Sequence, residues 1–94
     1  MFVRLIKVNE RNNNGKVDFY LTEVSINVAQ ILFMSENKYY KNMLSEGKLN
    51  LDLNQSAIFT DLRLNSKQTI TVVGAPSMIE TKILLKTNKQ LLKG

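Results

Sequence analysis

The stretch VSINVAQILFM, residues 24–34, decides how this chain folds. Asn27 and Gln30 interrupt a run that is otherwise mainly apolar. An asparagine side chain can bond to nearby backbone in an Asx-type turn, which redirects the chain. The sequence therefore predicts a corner at Asn27 between two strands. A single helical turn there would point Val28 and Ile31 inward.

Alternating apolar and polar residues predict strands on both sides of this corner. Before it, residues 2–8 and 16–21 alternate around Asn14-Gly15. This residue pair favours two-residue hairpin turns because both positions tolerate positive φ. After it, residues 58–64 and 69–73 form a second predicted hairpin.

Residues 48–54, KLNLDLN, show the cleanest alternation and predict a further strand. The polar stretch before them, residues 36–47, predicts a short helix or an excursion loop that ends at Gly47, where a helix C-cap would lie. A C-terminal helix is expected to begin between Ala75 and Ser77. Ser77 and Glu80 have the spacing of a capping box at its start.

The predicted fold class is α+β and mainly β, a small antiparallel sheet or partly closed barrel with a short C-terminal helix. The 94 residues fit one domain, with its core at about 1–86, an excursion at 36–47 and a basic tail at 87–94. The residues expected to be buried are Leu5, Phe19, Ile26, Ile31, Phe33, Leu62, Ile70, Val72, Ile79 and Ile83.

The order of these elements resembles that of the small FlbD-like proteins of flagellar operons and phage genomes. Ile26-Asn27 followed by Ile31 resembles one segment of that family, and Thr69-Ile70-Thr71-Val72 and Ile79 with Ile83 resemble two others. The resemblance implies a related fold and a regulatory role of bacterial or phage origin, and it brings no catalytic residues with it.

The composition argues against catalysis and against metal or cofactor binding. The chain has no cysteine and no histidine, so thiolate and imidazole chemistry are excluded. The eight carboxylates are scattered, and none of the common nucleotide-binding motifs is present. No apolar run reaches the length of a membrane span, and the first ten residues lack a signal peptide's core. We therefore expect a cytoplasmic protein that is not an enzyme and that uses no cofactor and no metal.

Two binding functions remain open. The segment around Tyr39-Tyr40 combines aromatic, apolar and basic residues. This composition suits a protein interface or self-association, because tyrosine and methionine are enriched at protein interfaces. Rings beside lysines also suit nucleic acid, by stacking and phosphate contact. Protein binding is slightly favoured because the net charge of +5 is modest. The candidate binding residues are Lys38, Tyr39, Tyr40, Lys41, Met43 and Leu44, and a secondary basic patch comprises Lys82, Lys86, Lys89 and Lys93.

Overall fold

The corner lies where the sequence predicts it. In the computed structural model, which describes residues 1–93 and the side-chain surroundings of residues 1–86, Asn27 caps a 3₁₀ turn at Val28–Gln30. The Asn27 Oδ1 accepts a hydrogen bond from the Ala29 N–H at 3.1 Å. Val28 and Ile31 are half-buried against the main core. The prediction of a backbone-bonded corner is confirmed.

Besides this turn, the described residues 1–93 form five strands and two helices. The strands are β1 (Phe2–Asn13), β2 (Lys16–Asn27), β3 (Ile31–Glu36), β4 (Phe59–Leu64) and β5 (Thr69–Val73), and the helices are α1 (Lys38–Ser45) and α2 (Pro76–Lys93).

All neighbouring strands pair antiparallel, in the spatial order β2-β1-β5-β4-β3. The edge strands β2 and β3 lie at opposite ends of this order, yet only the three-residue turn joins them. The sheet must therefore curl until its two edges approach each other at the corner. The Asn65 N–H, in the β4–β5 loop, donates to the Gln30 carbonyl at 2.8 Å and holds the turn there. The two edges do not pair, so the sheet is antiparallel and open, without barrel closure.

The β1–β2 hairpin follows its turn chemistry. Twelve residue pairs run in unbroken register down to Asn13 and Lys16. Asn14 and Gly15 between them have φ of 54° and 80°. A type I′ turn requires positive φ at both of these positions. The predicted turn is confirmed, and both strands are longer than the alternation indicated.

The concave face of the sheet and α2 enclose an inner cluster, whose buried members are Val3, Leu5, Ile26, Leu62, Val72 and Ile79. The helix begins at Pro76, within the predicted interval. The Ala75 carbonyl accepts the N–H groups of Met78 and Ile79, at 3.0 and 3.1 Å, and so occupies the capping position. Ser77 lies inside the helix, so the predicted capping box is wrong. The helix continues to Lys93.

The opposite face carries an outer cluster, whose buried members are Val8, Leu44, Leu49 and Phe59. The predicted strand at residues 48–54 is absent. The Leu51 N–H bonds to the Leu49 carbonyl at 3.0 Å and the Leu53 N–H to the Leu51 carbonyl at 2.9 Å. These bonds between residues two apart are those of γ-turns. The leucines keep a period of two and cover the outer face, but with local bonds in place of a partner strand.

Nine of the ten residues expected to be buried are buried or half-buried. Phe33 is the exception, because the adjacent Met34 faces the inner cluster and Phe33 therefore points to the other face of β3. The buried residues are Leu5, Ile26, Leu62, Val72 and Ile79, and the half-buried ones are Phe19, Ile31, Ile70 and Ile83.

Candidate interaction surface

Helix α1 is fixed firmly at both ends. The Asn37 Oδ1 caps it by accepting the Tyr40 N–H at 3.0 Å, and the Asn37 Nδ2 donates to Asp61 Oδ1 on β4 at 3.0 Å. Gly47 has a φ of 74° at the C-terminal end. Its N–H bonds to the Leu44 carbonyl at 3.1 Å, and the next N–H bonds to the Met43 carbonyl at 2.8 Å. This pair of bonds is a Schellman motif, and the sequence predicted this C-cap correctly.

Tyr40 is an anchor of this helix. Its ring lies edge-on to Phe19 and tilted against Phe59, with ring centroids 5.7 and 5.9 Å away. Its hydroxyl donates to Glu10 Oε1 at 3.2 Å. Burial, followed by the adjacent Glu10 carboxylate, raises the pKa of Tyr40 to about 12. The phenol therefore keeps its proton at neutral pH and serves as a donor.

Three of the six candidate binding residues serve the fold. Leu44 is buried, and Tyr40 and Met43 pack against the outer cluster. Lys41 is half-buried. Only Lys38 and Tyr39 are exposed, with 68% of Tyr39 accessible. The exposed part of the segment is therefore limited to these two residues, because the apolar side of α1 faces the sheet. Binding through the segment stays a prediction.

The secondary basic patch lies on α2. Lys82 and Lys86 are exposed and one turn apart. The Lys86 Nζ donates to the Phe2 carbonyl at 2.6 Å, so the ammonium also links α2 to the start of β1. The side chains of Lys89 and Lys93 lie outside the described residues.

The sequence interpretation missed a patch on β3. Ile31 and Met34 both pack against the inner cluster. A regular strand would point residues three apart to opposite faces. A β-bulge between Ile31 and Phe33 resolves the conflict. Both intervening side chains, Leu32 and Phe33, then lie outside the core, and each is 60% exposed. In a regular strand one of the two would be buried.

Arg63 of β4 lies directly opposite Phe33 in the strand register, and its Nη1 donates to the Thr69 hydroxyl at 3.1 Å. Leu32, Phe33 and Arg63 are called the bulge patch below. The sequence signal for this patch was the run of four apolar residues from Ile31 to Met34. A strictly alternating strand cannot direct both ends of such a run into one core.

A polar cleft of about 420 Å³ opens between β1 and β5. The two strands pair at only two positions, Lys7 with Val72 and Val8 with Thr71, and then separate. Glu10, Tyr40 and the Thr69–Thr71 edge line the opening. Within the described part of the chain, no three acidic side chains come together to hold a metal ion.

No family model, curated protein or solved structure matches this chain. The resemblance to FlbD-like proteins therefore stays an expectation from sequence. Among the helices that the structure describes, none has the length and apolar character needed to cross a membrane.

Proposed function

We propose that this protein is a non-enzymatic binding module of the cytoplasm, an adaptor, regulator or assembly subunit that contacts another protein through the bulge patch. The observation that carries the proposal is the bulge itself, which places Leu32 and Phe33 side by side outside the core. β-Bulges recur where a strand re-aims side chains for function.

The composition of the patch supports a protein partner. Aromatic residues and arginine are enriched at protein interfaces and dominate their binding energy. Phe33 supplies an aromatic ring and Arg63 a guanidinium, and the two residues lie directly opposite each other on β3 and β4. Leu32 adds apolar area beside them. The partner expected from this chemistry is a protein surface with an apolar pocket for the ring and an acceptor for the guanidinium.

The experiment compares affinity capture by three forms of the full chain. The first is the native chain, the second carries Leu32→Ser and Phe33→Ser, and the third carries Val17→Ser as an exposed apolar control on the hairpin. A specific partner should be retained by the native chain and the control, lost by the double variant, and unaffected by nuclease. Sedimentation of the purified forms covers the case in which the partner is a second copy. Equal capture or equal oligomeric state in all three forms refutes the proposal.

Nucleic-acid binding is the second candidate, and the exposure of Tyr39 beside Lys38 favours it. The Tyr39 ring is held in edge contact with Tyr40, with the ring centroids 5.7 Å apart. This contact preorganises a stacking surface. Such binding would weaken steeply with salt, because lysines displace counterions from phosphates. Tyr39→Ala should then reduce affinity for single strands while Leu32→Ser does not. Salt-insensitive binding would count against this candidate.

A further inference from the structure

Helix α2 leaves large apolar side chains outside the core. Ile79 and Ile83, one turn apart, face the inner cluster. Each residue rotates by about 100° around a helix, so Leu84 and Leu85 turn away from that direction. They are 61% and 57% exposed, and Met78 is also exposed. The outward side of α2 thus carries three large apolar side chains, Met78, Leu84 and Leu85, together with the small polar Ser77 and Thr81.

Positive charge flanks this apolar side. Lys82 and Lys86 are exposed, whereas Glu80 is the only acid in the whole helix. The sequence continues the lysines at helical spacing with Lys89 and Lys93. The Lys86 Nζ reaches the Phe2 carbonyl at 2.6 Å, which brings the exposed Phe2 to the same end of the molecule. Exposed leucines and lysines therefore share this helix, and the exposed Phe2 lies near its Lys86.

We propose that this surface, the α2 face, binds an anionic phospholipid bilayer without crossing it. An interfacial helix buries leucine and phenylalanine in the acyl boundary while lysines meet anionic headgroups. Charge complementarity selects this occupant. A second copy would bring like-charged lysines together. Nucleic acid would satisfy the lysines but leave Leu84 and Leu85 without an apolar partner.

The test is co-sedimentation of the full chain with vesicles of phosphatidylcholine, alone or mixed with phosphatidylglycerol, with a sample lacking vesicles run in parallel. The chain should bind the mixed vesicles and not phosphatidylcholine alone. Lys82→Gln with Lys86→Gln should weaken partitioning roughly thirtyfold, about fivefold for each lysine near an anionic surface. Leu84→Ser with Leu85→Ser should weaken it about tenfold or more through lost apolar burial.

The matched control is the Leu32→Ser, Phe33→Ser double variant, whose changes lie on β3 and leave α2 intact. It should bind vesicles at native strength, which separates this proposal from the proposed protein interface. Circular dichroism checks that every variant is folded. Failure to bind mixed vesicles overturns the proposal, as does equal binding to both vesicle types. Unchanged binding by the folded leucine variant, or binding to a DNA duplex but to neither vesicle, also overturns it.

Discussion

Deletion of Leu32 should leave the fold intact, because Leu32 is the extra residue of the bulge. Ile31 pairs with Leu64 and Phe33 pairs with Arg63. Removal of Leu32 therefore makes these two residue pairs consecutive in the β3–β4 register. Alternation is then regular, with Ile31 inward, Phe33 outward and Met34 inward.

The magnitude follows from exposure. Leu32 is 60% exposed, so less than half of its side chain is buried. Full burial of a leucine contributes about 1.5–3 kcal/mol, so the deletion forfeits about 1 kcal/mol. The regular ladder offsets part of that loss. We expect the free energy of unfolding, measured by urea denaturation followed by circular dichroism, to change by at most about 1 kcal/mol.

Deletion of Ser35 is the matched control, because Ser35 pairs regularly with Asp61. Its removal displaces Asn37, which bonds through its N–H to the Phe59 carbonyl, through its side-chain amide to Asp61, and through Oδ1 to the Tyr40 N–H. Three hydrogen bonds at about 1 kcal/mol each make a loss of about 3 kcal/mol. If deleting Leu32 costs as much as deleting Ser35, the bulge is not a separable insertion and the reasoning is wrong.

Three other predictions concern single residues. Phe59→Ala should destabilise by about 3–5 kcal/mol and Phe33→Ala by about 1 kcal/mol, since Phe59 is fully buried and Phe33 is mostly exposed; equal denaturation midpoints would contradict this. Asn27→Ala should cost about 1 kcal/mol through loss of the cap bond to Ala29, and an unchanged midpoint would remove that role. The raised pKa of Tyr40 means that the fold favours its protonated phenol, so this contribution is complete below pH 10.0 and is lost as pH rises through about 12. In the Tyr40→Phe variant the melting temperature should fall less steeply with rising alkaline pH than in the Tyr39→Phe variant. Equal slopes in the two variants would refute the assignment of this pH dependence to Tyr40.

The sequence predicted those elements whose signals are local. The Asn14-Gly15 turn, the Asn27 cap and the Gly47 helix end depend on the φ preference or side-chain bonding of one or two residues, and all three are confirmed. Residues 48–54 were wrongly predicted to be a strand. A period of two indicates which side chains face the core, but it does not indicate the hydrogen-bond partners of the backbone. Consecutive γ-turns place the leucines of this segment on the outer cluster, and they give the same period of two as a strand would.

The exposure of the candidate residues was harder to predict because exposure is set by tertiary structure. Tyr40, Met43 and Leu44 looked like contact residues from composition, but they pack against the outer cluster. The side-chain bond from Asn37 Nδ2 to Asp61 ties the start of α1 to β4 in that position. Phe33 was expected in the core because its sequence neighbours are apolar. The strand register and the packing of Met34 against the inner cluster show that Phe33 points to the other face.

The claim that the bulge patch binds a protein is tested most directly by photocrosslinking from position 33. A photoreactive phenylalanine replaces Phe33 in the full chain, and the same residue replaces Val17 in a control, since Val17 is exposed to a similar degree. After irradiation in cells, the account predicts one discrete, nuclease-resistant protein adduct from position 33 and none of that mass from position 17. No adduct from position 33, or the same adduct from both positions, would contradict it.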